Sequence, residues 1–146
     1  MNLIVAIVFL ASLSVSVMRA ELPPGVWVRR ALKDGSRVTI TVESAGTSRV
    51  LTYRTERRHG TIRTLVVATA LDGRDTQVSV DGKPSAQTMA FRKLDDRHTV
   101  NIVKLNGKPV STQQFEIGAD GKVIKVLTIP TDAEHQDGFT DYWDKQ

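Results

Sequence analysis

The sequence contains no cysteine. That excludes a disulfide framework, a thiol nucleophile, thiolate metal ligands and a lipid-bearing cysteine after a leader. Aromatic residues are few: two Trp, two Tyr and four Phe. A surface that stacks bases has little to be built from, and Tyr53 is the sole aromatic in the most basic stretch, so nucleic acid is not an expected partner. No apolar run reaches the roughly 20 residues that a membrane-spanning helix requires. No stretch carries the spacing of a sustained amphipathic helix, and there is no alternation of strands with helices, which argues against a parallel sheet. Gly-rich phosphate loops, Gly-x-Ser-x-Gly elbows and Asn-x-Ser/Thr acceptor sites are missing as well.

The N-terminus holds 15 uncharged, mostly apolar residues, Leu3 to Val17, followed by Val17-Met-Arg-Ala20. That length suits the core of a secretory signal peptide better than a membrane anchor. Residues 1–20 are therefore expected to be a signal peptide cut after Ala20, and 21–146 a single domain, secreted or periplasmic. Without disulfides that domain must be held by its core alone. Loss of Arg19 leaves 19 basic against 16 acidic residues, a net charge of +3.

The charge is unevenly spread. Residues 29–63 hold nine Lys or Arg and three Asp or Glu, whereas residues 131–146 hold five acidic residues and only Lys145 of opposite sign. A basic region can attract an anionic surface or partner. Arg49, Arg57, Arg58 and Arg63 are the candidates for such a face; the alternative is a solvated strand surface.

After Pro24 the chain reads as strands and tight turns. Arg37-Val-Thr-Ile-Thr-Val-Glu43 alternates with Val38, Ile40 and Val42 on one face, the period of a half-buried strand. Further β-branched runs follow at 49–56, 61–69, 88–94, 99–105, 110–117 and 122–129, with shorter ones at 26–30, 76–80 and 139–143. Asp34-Gly35, His59-Gly60, Asp72-Gly73, Asp81-Gly82, Asn106-Gly107 and Asp120-Gly121 punctuate them, and such pairs suit hairpins. The pattern predicts an all-β, antiparallel up-and-down meander of about eight to ten strands. Closure into a barrel removes the two exposed edges; a β-sandwich is the alternative.

No constellation for catalysis stands out. His59, His98 and His135 fall on separate elements without metal-ligand spacing. Asp95-Asp96 reads as a surface turn rather than a carboxylate pair. No enzyme activity, metal or cofactor is therefore expected. What remains is the barrel interior. Trp27, Tyr53, Met89, Phe91, Phe115, Phe139, Tyr142 and Trp143 are the large side chains able either to fill it or to line a cavity for one small apolar or amphipathic ligand. From these Trp27, Tyr53, Met89, Phe91 and Phe115 are taken as ligand-binding candidates. Arg54 joins them if its face points inward, where it could meet a ligand carboxylate.

Gly25-Val-Trp27 opens the first strand as the Gly-x-Trp signature does in lipocalins. Leu71-Asp-Gly-Arg-Asp75, Gln87-Thr-Met-Ala-Phe-Arg-Lys-Leu-Asp-Asp96, Asn106-Gly-Lys-Pro-Val-Ser-Thr112, Ala119-Asp-Gly-Lys122 and Tyr142-Trp-Asp-Lys-Gln146 follow in order. This series resembles uncharacterised exported bacterial proteins with a lipocalin-like, fatty-acid-binding-protein-like (calycin-type) barrel. The resemblance spans Gly25 to Gln146 and implies the fold and export; it carries over no catalytic residue. Where those proteins often have an aromatic and a proline after the Asp-Gly-Lys-Asp turn, this chain has Thr76-Gln77. It also lacks the helix-forming stretch between the first two strands that forms a lid in fatty-acid-binding proteins, which argues against carriage of a long acyl chain.

Overall fold

The structure is a computed structural model and describes residues 22–132 and 137–146. The expected signal peptide and its cleavage site, and His135, lie outside the described residues.

Ten strands follow one another: β1 (Gly25–Arg29), β2 (Arg37–Ala45), β3 (Ser48–Glu56), β4 (Ile62–Thr69), β5 (Thr76–Val80), β6 (Lys83–Lys93), β7 (His98–Leu105), β8 (Lys108–Ile117), β9 (Val123–Pro130) and β10 (Phe139–Lys145). Each pairs antiparallel with its neighbour in sequence, and β1 also pairs with β10, in register Trp27↔Lys145 and Arg29↔Trp143. The meander is thus a closed barrel, as expected, and no barrel strand presents an open edge.

The turns explain the register. Asp81-Gly82 and Asn106-Gly107 both have positive φ at both positions (49° and 79°, 51° and 77°). This is the two-residue hairpin geometry whose twist matches that of the strands, and Asn, Asp and Gly tolerate it best. The register shifts between Gln77 and Ser79 and again between Val103 and Lys104. Pro84 and Pro109, which have no N–H to give to a ladder, sit beside these irregularities.

The weakest seam lies between β4 and β5, with two paired positions, Leu65↔Val80 and Val66↔Ser79. Leu71, on the connection between these strands, belongs to the core. Its φ is 58° and its side chain is buried. The segment is held by Leu71 N–H to Thr69 Oγ1 and by Lys93 N–H to the Leu71 carbonyl.

Alternation decides what lies inside. Ile40 and Val42 on β2, Leu51 on β3, Val67 on β4, Met89 and Phe91 on β6, Phe115 and Ile117 on β8, and Ile124 and Val126 on β9 are all buried in one core with Trp27 and Trp143. Each large apolar side chain moved from water to this interior contributes about 1.5–3 kcal/mol. With no cysteine in the sequence, this core holds the barrel without disulfides.

Candidate functional site

Because the chain runs up and down, the connections β1–β2, β3–β4, β5–β6, β7–β8 and β9–β10 all gather at one end of the barrel. Most of the lumen is filled: Trp27, Leu51, Val78 and Phe91 are wholly buried, and the Phe91 and Phe115 rings stand 5.9 Å apart. Toward the gathered connections the packing opens into a cavity of about 220 Å³. Arg29, Val38, Ile40, Tyr53, Gln113, Phe115, Val126, Thr128, Phe139, Asp141 and Trp143 wall it.

The wall carries one pair of opposite charges. Arg29 Nη2 donates to Asp141 Oδ1 at 2.5 Å, with about a quarter and a fifth of the two side chains exposed. The pair exists because Arg29 faces Trp143 across the β1–β10 seam, and Asp141 lies two residues from Trp143, on the same face. Gln113 takes part in a second contact, accepting from Asn101 Nδ2 at 2.9 Å. Among the described residues six buried side-chain polar atoms have no hydrogen-bond partner in the protein. Three of them, Arg29 Nε, Tyr53 OH and Trp143 Nε1, belong to this wall. Burial pushes the Tyr53 phenol well above its ordinary range, so it stays a neutral O–H.

Of the sequence-derived ligand candidates, Tyr53 and Phe115 line the cavity. Trp27, Met89 and Phe91 do not; they belong to the filled core. Arg54 is corrected outright: it lies on the outer face, exposed, in an ion pair with Glu56. Both faces of β3 hold apolar residues, so its alternation left the inward phase open. Arg49, on the opposite face, is the arginine that turns in. It is 8% exposed, and its guanidinium donates to the Leu22 carbonyl at 3.3 Å and the Ser48 carbonyl at 3.1 Å. Arg49 is therefore not part of an anionic-surface patch. Arg57, Arg58 and Arg63 are exposed at the end where the cavity opens, on the β3–β4 connection and the start of β4 rather than on a broad sheet face. Exposed Ile62, Leu105, Val110 and Phe139 share that end.

Arg29, Gln113 and Asp141 were not legible as site residues. The Arg29–Asp141 contact joins positions 112 apart in sequence. Only the alternation of Phe139, Asp141 and Trp143 against outward Tyr142 hinted that β10 turns a carboxylate inward. Tyr142 itself lies outside, under the Arg30 guanidinium at 5.0 Å from the ring centre.

A second concavity, about 440 Å³, crosses the outside of β7 to β10 among Leu94, Asp95, His98, Gln114, Glu116, Lys125, Leu127 and Thr140. It is larger, and three of its charged or titratable groups, Asp95, His98 and Glu116, already have partners. His98 Nδ1 lies 2.8 Å from Asp95 Oδ1, and Arg97 lies 3.7 Å from Glu116. The Asp95 carboxyl is held below its usual range first by the Arg97 backbone N–H and then by His98. No buried, unpartnered atom belongs to this groove among the described residues, in contrast to the lumen wall. Among the described residues no cluster of His, Asp and Glu could hold a metal ion, and no helix is long and apolar enough to cross a membrane. Comparison with family models, curated proteins and solved structures finds no match.

Proposed function

We propose that this protein is a non-catalytic, exported binding module that holds one small ligand in the open end of its barrel. The observation that carries the reading is the coincidence of the lumen cavity with Arg29 Nε, Tyr53 OH and Trp143 Nε1. A core built only for stability would bring apolar groups there, since each buried, unmatched polar atom costs about 1–3 kcal/mol. Export is supported by the apolar leader Leu3 to Val17 and by the resemblance to exported barrel proteins.

The size of the cavity limits the ligand. At about 30 Å³ per water, 220 Å³ corresponds to roughly seven waters. It is smaller than the 300–1,000 Å³ usual for drug-sized ligands. A long acyl chain does not fit inside, so the ligand is compact or leaves part of its body in the mouth. Native mass spectrometry of the protein purified from the organism that makes it tests the reading. A co-purifying small organic mass, lost when Trp143 is replaced by Ala, is the expected result. An apo mass, together with no ligand-induced change in the Trp143 indole resonance across a panel of compounds of this size, overturns it.

A second reading has its own observation. Arg57, Arg58 and Arg63 share the cavity end with the exposed apolar side chains of Ile62, Leu105, Val110 and Phe139. Basic and apolar groups together suit the surface of an anionic membrane. Asp132 and Asp137 on the β9–β10 connection stand at the same end and oppose it, so the lumen reading leads.

A further inference from the structure

The charges of the lumen wall specify the ligand further. Among the described residues, Arg29 and Asp141 are the only Lys, Arg, Asp or Glu that wall the cavity, and they neutralise each other at 2.5 Å. The net charge of the wall is therefore zero. A carboxylate entering this site would bring an uncompensated charge out of water. To capture Arg29 it would have to displace Asp141 and leave that carboxylate unpaired in turn. An ammonium faces the mirror problem, because reaching Asp141 strands Arg29. Burying an ion without a partner is among the most costly steps in a protein interior.

The polar atoms of the wall that lack a partner can all donate, and of the three the Tyr53 hydroxyl alone can also accept. Arg29 Nε and Trp143 Nε1 are N–H groups that can only donate, and Tyr53 OH is a donor with no acceptor in the protein. Gln113 Oε1 already accepts from Asn101. These donors sit on β10, β1 and β3, within one arc of four successive strands, β10-β1-β2-β3, round the barrel. The three atoms are themselves buried, on residues that line the cavity, so a ligand reaches them through side-chain rotations of the kind common on binding.

We infer that the lumen selects an uncharged molecule bearing a hydrogen-bond acceptor, such as a ketone, ester, lactone or amide, with a compact apolar body, and discriminates against carboxylates and ammonium ions. This rests on the lumen reading above and adds the chemistry of the head group.

The test uses three probes with similar bodies: hexan-2-one, hexanoate and hexylammonium. Each is titrated at neutral pH into the full domain, followed by ¹H–¹⁵N spectra of the Trp143 indole N–H and the Arg29 Nε–H. Hexan-2-one is expected to shift both resonances and to bind at least about tenfold more tightly than either ion, which is the size of one modest electrostatic or hydrogen-bond difference. Tyr53→Phe is expected to weaken hexan-2-one roughly three- to tenfold, one neutral hydrogen bond. Asp141→Asn removes the compensating charge and is expected to reverse the order, with hexanoate becoming the best of the three. Thermal unfolding of each variant confirms that it is folded. If hexanoate binds wild type most tightly, the head-group inference is overturned and the lumen site stands. If all three bind alike, the inference also falls and the site survives. If none perturbs Trp143 in wild type or in either variant, both readings fall together.

Discussion

Replacing Tyr53 by Phe in the ligand-free protein is expected to stabilise it, against the usual direction for a core substitution. In the unfolded chain the phenol is hydrated. In the barrel its oxygen is buried and makes no hydrogen bond with the protein. Leaving a polar group in that state costs about 1–3 kcal/mol, and Phe keeps the ring while removing the group. Some of that gain is lost because neighbouring side chains adjust around the missing oxygen, so a net gain of about 1 kcal/mol is expected. Urea denaturation measures it: with a slope of about 1–3 kcal/mol per molar, the midpoint should rise by roughly 0.3–1 M. The same residue gives a pH signature. Burial raises the Tyr53 phenol from its ordinary value of 10.0, so the unfolded chain ionises first as pH rises. Its contribution is fully present below pH 10 and is lost above it, at up to about 1.4 kcal/mol per pH unit. Wild type should therefore lose stability between pH 10 and 11.5 more steeply than Tyr53→Phe does. If Tyr53→Phe lowers the urea midpoint by an amount equivalent to 1 kcal/mol or more, the hydroxyl is well satisfied and the argument from unmatched donors fails.

Other perturbations separate the filled core from the open end. Phe91→Ala removes a wholly buried ring packed against Phe115 and should cost about 3–5 kcal/mol in the same assay, with unfolding at ambient temperature an acceptable extreme. Gly138→Ala places a Cβ 2.4 Å from the Thr128 carbonyl oxygen at a φ of 64°. It should destabilise by more than about 1 kcal/mol, read as a drop in melting temperature, and a neutral result would mean that the start of β10 is seated otherwise. Replacing Arg57, Arg58 and Arg63 together by Ser should leave hexan-2-one binding unchanged and abolish any salt-sensitive retention on anionic vesicles. Retention that survives both the substitutions and high salt would remove the membrane reading.

The strands were largely legible because period-2 alternation and Asp-Gly or Asn-Gly turns act locally. Arg37 to Glu43 grows by two residues into β2, and the run at 76–80 is β5. The start of β6 was missed. Lys83-Pro-Ser-Ala-Gln87 is polar and contains a proline, and it is held in the sheet by its pairing with Val80 and Ser79 across the Asp81-Gly82 turn rather than by its own propensity. Which of two faces turns inward was less legible. On β3 the alternatives were Arg49, Leu51 and Tyr53 or Val50, Thr52 and Arg54, and burial of a whole barrel wall decided between them. The site was least legible, because its defining pair comes from opposite ends of the chain and meets only when β1 closes on β10.

That closure also bears on why the open end can be polar at all. A closed ten-strand meander satisfies its backbone through neighbouring strands, and the core around Trp27, Leu51, Val78 and Phe91 is tightly buried. At the open end the same apolar wall also carries an ion pair and three unmatched donors. Three such atoms, at about 1–3 kcal/mol each, would consume much of the 5–15 kcal/mol that usually separates folded from unfolded domains. A ligand that accepts from them removes that cost only in the folded state. Its binding is therefore linked to stability by RT ln(1 + [L]/Kd), about 2.7 kcal/mol at a hundredfold excess over Kd. On the proposed reading, a lumen ligand should raise the melting temperature of wild type more than that of Tyr53→Phe, in which one of the donors is already gone. A compound that binds in the outer groove among His98, Glu116 and Lys125 would stabilise both proteins equally.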